Sequence, residues 1–111
     1  MTTTSYAVVS TTVASDEDAR EIAGKVLSER LAACAQLVEI NSLYTWKGAA
    51  CDEREVLLLL KTRAELYPEL ERAILSLHKY ETPEIVMLPV AQGLPGYLAW
   101  IDEVTGGARG L

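Results

Sequence analysis

The chain has 111 residues, 50% of them hydrophobic, a formal net charge of −6 and a pI near 4.7. That length and apolar content support one domain with a real core and exclude a disordered chain. A uniformly acidic balance argues against nucleic acid and against an anionic membrane surface, both of which need clustered Lys and Arg. No apolar run is long enough to span a bilayer, and no basic start leads into an apolar signal region. The only cysteines are Cys34 and Cys51, without a CxxC. The expected compartment is therefore a reducing cytoplasm.

In chain order, Met1 to Ser5 is a polar lead, expected to fray. Tyr6 to Val13 is rich in Val and Thr and suits a buried strand. Ser15 followed by Asp16, Glu17 and Asp18 reads as a capped helix start, since acids suit the positive end of the dipole. Ala19, Ile22, Ala23, Val26 and Leu27 then recur at helical spacing. Next come two long strand arms, Ala33 to Trp46 and Cys51 to Arg63, with a turn around Lys47, Gly48, Ala49 and Ala50. Asn41-Ser42 reads as a bulge or bend in the first arm. Val56 to Leu60 (VLLLL) reads as a strand covered on both faces.

A second helix is expected over Leu66 to Leu77, with Pro68 in its permitted first turn. Pro83 excludes helix from HKYETPE (His78 to Glu84). Ile85 to Val90 reads as a strand, Gly93, Pro95 and Gly96 as a loop, and Tyr97 to Val104 as a short helix. Gly106 to Leu111 is expected to fray. Strand, helix, strand, strand, helix, strand is the ferredoxin-like split βαβ order, an α+β class. The expectation is one domain over 1–111, βαββαβ with a long central hairpin and a short C-terminal helix.

Each hairpin arm is about twice the usual strand length of five or six residues. At roughly 3.3 Å per residue an arm reaches about 40 Å, against a radius of gyration near 13 Å for a domain of this size. The hairpin should overhang, and the edges it exposes should be covered by other copies of the chain. Cys34 and Cys51 would lie too far apart along it for a disulfide.

His78 is the sole histidine, standing with Glu81 and Glu84 on an irregular segment. With a free thiol such as Cys34, these types can bind copper or zinc, but one chain has too few nitrogen and sulfur donors for a closed site. The competing reading is that His78 ends a helix and the glutamates face water. The competing reading of Cys34 is a small buried residue. Tyr44 and Trp46 share a strand face, as cross-strand packing or as the wall of a pocket. Lys61 and Arg63 close the apolar strand and can bind an anion or carboxylate. Glu53 and Glu55 look like a solvated edge, and Trp100 like helix packing. No nucleophile–base pattern, phosphate loop or HExxH is present, so the chain is not expected to be an enzyme. The residues demand no cofactor.

The pieces ERLAACAQL (Glu29 to Leu37), SLYTWKG (Ser42 to Gly48), EVLLLLKTR (Glu55 to Arg63), HKYETPE, LPV (Leu88 to Val90) and YLAWI (Tyr97 to Ile101) together resemble the CutA divalent-cation tolerance family. The resemblance covers nearly the whole chain. It implies a ferredoxin-like subunit in a tight homotrimer, with hairpins pairing between subunits, and a role in tolerance to copper and other divalent cations. It places Cys34, Tyr44, Trp46, Lys61, His78, Tyr80, Glu81, Glu84 and Trp100 near an intersubunit cleft. Lys79 departs from the family's usual Pro in HPYE, which is expected to loosen the loop. The ligands expected for copper or another divalent cation are His78, Cys34, Glu81 and Glu84. PII-type trimeric signalling proteins share this architecture, so a second reading is a small-molecule sensor with Lys61, Arg63, Tyr44 and Trp46 around an anionic ligand. A third is a stable trimeric scaffold without a ligand.

Overall fold

Two residues, Lys47 and Gly48, make the turn between the long strands, both with positive φ (51° and 81°). That is the type I′ geometry, whose twist matches that of the flanking strands. Pairing therefore resumes at once, at Trp46↔Ala49. The second arm begins at Ala49, two residues before the expected start at Cys51. In the computed structural model, which describes residues 5–106, the elements are β1 (Tyr6–Val13), α1 (Asp16–Ser28), β2 (Cys34–Trp46), β3 (Ala49–Arg63), α2 (Tyr67–Leu77), β4 (Ile85–Pro89) and α3 (Pro95–Val104). A 3-10 turn over Ala64–Leu66 leads into α2. The predicted order is observed.

The strands form one antiparallel sheet in the order β2-β3-β1-β4. The β2–β3 register is unbroken from Cys34↔Lys61 to Trp46↔Ala49, so Asn41-Ser42 forms no bulge. Only the lower part of β3 also pairs with β1, ending at Val13↔Val56. The seven rows above it, Ile40↔Glu55 to Trp46↔Ala49, project alone. That is about 24 Å of two-stranded ribbon. It stretches the molecule to 50 × 31 × 21 Å with a radius of gyration of 14.9 Å.

Alternation assigns the two faces. Val9, Val13, Val56, Leu58 and Leu60 point to the helices and pack with Ile22 and Val26 of α1 and Leu70 and Ile74 of α2. Ser15 caps α1, its Oγ accepting from Asp18 N–H at 3.1 Å. On the opposite face lie Val8, Leu57 and Leu59 of the central strands, all half-buried, with Val38, Val86 and Leu88 exposed. The VLLLL segment is thus covered fully on one face and partly on the other. α3 covers only the lower end of that second face, where Arg63 Nε donates to Thr105 Oγ1 at 2.8 Å and Tyr6 Oη to Asp102 at 2.5 Å.

Ser5 and Gly106 each join the backbone hydrogen bonding, Ser5 O with Ala64 N–H and Gly106 N–H with Glu103 O. The other positions expected to fray, 1–4 and 107–111, lie outside the described residues. The turn gives a first prediction. A Cβ at Gly48 would meet nothing within 4 Å, so Gly48→Ala acts only through its left-handed backbone. We expect a loss of about 1–2 kcal/mol in denaturant unfolding with an unchanged m-value.

Candidate functional site

The unpaired upper ribbon does not stand in open solvent on every side. The segment after α2, residues 78–84, crosses the top of β1 and faces it, and between them lies a cleft of about 770 Å³. The ribbon contributes Tyr44, Trp46, Glu53 and Glu55; the crossing segment contributes Tyr80, Glu81 and Glu84. Period two explains these four ribbon residues, since Tyr44, Trp46, Glu53 and Glu55 have the parity of one sheet face. Glu53 is exposed, as expected of a solvated edge, but Glu55 is not. Glu55 is only 8% exposed, and its Oε2 accepts from Tyr80 Oη at 2.7 Å. Tyr44 Oη donates to Glu53 Oε1. Burial, reinforced by the Glu55 hydrogen bond, pushes the Tyr80 phenol well above its usual 10.0. The Glu53 hydrogen bond is the main cause of the same upward shift at Tyr44. Both phenols stay protonated as donors at neutral pH. Glu84 Oε2 accepts from Ser10 Oγ at 3.1 Å, and Lys47 Nζ approaches Glu81 Oε1 to 3.6 Å from the hairpin tip.

His78 sits behind this wall rather than in it. Its Nε2 lies 2.9 Å from Thr12 O and 3.1 Å from Thr11 Oγ1, while its Nδ1 accepts from Tyr80 N–H at 3.2 Å. A carbonyl only accepts, so the ring is the neutral Nε2–H tautomer with both nitrogens in use. Burial holds its pKa below the usual 6.5. In this arrangement His78 braces the loop and offers no free lone pair to a metal. Lys79 ties the same loop to α1 through an ion pair with Asp18 Oδ1 at 2.6 Å.

The remaining predicted residues gather at the opposite end of the sheet. Cys34 pairs across from Lys61, ten rows from Tyr44 and so about 33 Å away. Lys61 Nζ lies 6.0 Å from the Tyr97 ring, which stacks with Trp100 at 5.7 Å. Arg63 is occupied within the fold, by Thr105 and by Glu65 at 3.0 Å. Within one chain, then, Glu81, Glu84, Tyr44, Trp46 and Tyr80 share a cleft. Cys34, Lys61, Arg63 and Trp100 do not belong to it. Lys61, Arg63, Tyr44 and Trp46 accordingly do not surround a single ligand within this chain. His78 and Cys34 are separated by four strand rows, about 13 Å, and by two strand spacings, roughly 10 Å. Among the described residues, no three His, Cys, Asp or Glu side chains converge to hold a metal ion. The cleft offers carboxylate oxygens fit for a cation, but an incomplete set. Cys34 and Cys51 are both free thiols, and no helix of the described residues is long and apolar enough to cross a membrane.

A four-stranded antiparallel sheet with helices α1 and α2 on one face, α3 on the other and an overhanging hairpin defines a ferredoxin-like α+β fold. The sequence model of the family described as CutA1 divalent ion tolerance protein matches residues 7–104. A divalent-cation tolerance protein CutA from Thermus thermophilus is 46% identical over 100 residues, spanning 89% of this chain and 97% of that protein. Mouse protein CutA is 44% identical over 95 residues, 85% of this chain but 54% of the mouse protein. Among solved structures, the Thermus thermophilus divalent cation tolerance protein superposes with a TM-score of 0.87 at 45% identity, over 91% of this chain and 99% of that one. A periplasmic divalent cation tolerance protein CutA from Archaeoglobus fulgidus gives 0.88 at 34% identity, over 90% and 98%. The chain belongs to the CutA1 divalent ion tolerance family.

The state of His78 sets a pH dependence. In the unfolded chain the imidazole takes up its proton near 6.5, and in the fold only at lower pH. Between those values the unfolded chain holds more protons, so stability rises with pH. The contribution is complete above pH 6.5 and is lost as pH falls toward the folded value. Urea unfolding of His78→Gln should show a flatter slope of stability against pH than the parent between pH 7 and 5.

Proposed function

We propose that this protein is a homotrimer that binds divalent cations, copper foremost, at clefts completed between subunits. The observation that carries the reading is the carboxylate-lined cleft beside the overhanging ribbon, in a chain of a divalent ion tolerance family. Glu81 and Glu84 supply oxygen donors from one subunit. The missing donors come from a neighbour, and the residues gathered at the far end of the sheet suit that role. Cys34 offers sulfur, and Lys61 and Trp100 bring complementary charge and apolar surface. His78 supports the site by holding the 78–84 segment in its first role, and becomes a ligand only if the subunit contact releases a ring nitrogen. Copper leads because it stands highest in the affinity order of divalent first-row ions at such donors.

The trimer is supported by the half-covered apolar face, with Val38, Val86 and Leu88 at 46%, 45% and 54% exposure, and by the unpaired ribbon above it. We read the role as binding rather than catalysis, in a reducing cytoplasm that suits two free thiols. The aromatic walls Tyr44, Trp46 and Tyr80 favour a second reading, a sensor whose ligand is a small molecule filling the same cleft.

Native mass spectrometry with and without copper(II) and zinc(II) tests the first reading. The expected result is a trimer with stoichiometric copper, lost in the Glu81→Gln, Glu84→Gln double variant while the trimer persists. A trimer that remains metal-free at micromolar copper, or a monomer, would overturn it.

A further inference from the structure

The hairpin tip already places a cation on the cleft. Lys47 Nζ stands 3.6 Å from Glu81 Oε1 and 5.6 Å over the Trp46 ring. Its backbone is left-handed, with φ of 51°, a conformation that disfavours any residue other than glycine, asparagine or aspartate. A turn shaped only for stability would place a small polar residue there. Here the turn instead carries a four-carbon stem ending on the carboxylate of the facing segment. Lys47 is thus a strap that joins the ribbon to residues 78–84 across the mouth of the cleft.

Both partners of the strap are well exposed, at 68% and 71% of their side chains. Such a pair is weak, and an incoming cation of higher charge can displace it. A monovalent ion gains little, because it offers Glu81 the same unit charge as the tethered ammonium and loses translational freedom besides. A divalent ion offers twice the charge and can add a second carboxylate, which one ammonium on a short stem cannot span as well. We propose that Lys47 is a specificity-determining residue of the cleft, a tethered competitor cation that divalent ions displace and monovalent ions do not. This rests on the cation-binding reading above. Displacement moves the ammonium off Trp46 as well, so the indole reports it.

The test follows tryptophan emission in the parent and its Lys47 variants, the Trp46 share being the part that depends on Lys47, with zinc(II) as a diamagnetic probe and calorimetry for affinity. Zinc should shift Trp46 emission in the parent, while sodium chloride at equal ionic strength should not. Lys47→Gln should bind zinc about two- to five-fold more tightly, the range set by loss of one exposed ion pair. It should also lose the zinc-dependent part of the emission shift. Lys47→Arg, which keeps the charge, should stay near the parent affinity. If the parent binds zinc but Lys47→Gln binds it no more tightly, or Trp46 emission does not move at saturation, the competitor role is wrong and cation binding stands. If the parent binds neither zinc nor copper(II) in the same calorimetry, cation binding falls and Lys47 has nothing to compete with.

Discussion

The structure depends on one ladder. β2 and β3 stay in register over thirteen rows, from Cys34↔Lys61 to Trp46↔Ala49, yet β1 supports only the lower part of β3. Everything above Val56 is a two-stranded ribbon without a helix layer. An isolated ribbon of this kind is marginal in water. The turn resists fraying because Lys47 and Gly48 adopt the geometry that lets both strands pair to their ends. Below, Leu58 and Leu60 are fully buried against α1 and α2, so the ladder is anchored in the core at one end only.

From that asymmetry the site follows. Because the ribbon extends past β1, its inner parity positions meet the 78–84 segment instead of another strand. Two glutamates and two aromatic side chains then face two more glutamates and Tyr80 across about 770 Å³. The hydrogen bond from Tyr44 to Glu53 holds the ribbon wall in shape, and that from Tyr80 to Glu55 joins it to the facing segment. His78 stiffens the opposite wall from behind, using both of its nitrogens. The lower end of the same ladder carries Cys34 and Lys61 beside α3. The acidic and the basic ends of one subunit are therefore about 33 Å apart along the strands. The proposed assembly resolves this by setting the lower end of one subunit against the upper end of the next.

The fold was largely legible in the sequence because its signals are local. Ser15 and the acids after it mark the start of α1, the Val56 to Leu60 run marks a central strand, and Lys47 to Ala50 brackets the turn. What was not legible depends on register and on contacts distant in the chain. Glu53 and Glu55 look like a solvated edge without a role until the pairing with Ser42 and Ile40 turns both toward the cleft and Tyr80 arrives over Glu55. Parity with Tyr44 and Trp46 was the one signal that could have found them. Asn41-Ser42 suggested a bulge by composition, but the unbroken ladder tolerates both residues. Arg63 looked available to an anion because nothing near it in sequence reveals that Thr105 accepts its guanidinium. His78 and Glu81 are three residues apart, yet one is braced against β1 and the other turned to the cleft.

The central claim is that the ribbon and the open sheet face are covered by other copies of the chain. Hydrogen exchange at the β2 amides of Ile40 to Trp46 that point away from β3 tests it most directly. Covered by a neighbour, those amides should be protected to a degree approaching the amides of Leu58 and Leu60. Exchange at the rate of an unstructured chain, while Leu58 and Leu60 remain protected, would mean the ribbon stands free and the intersubunit cleft does not form.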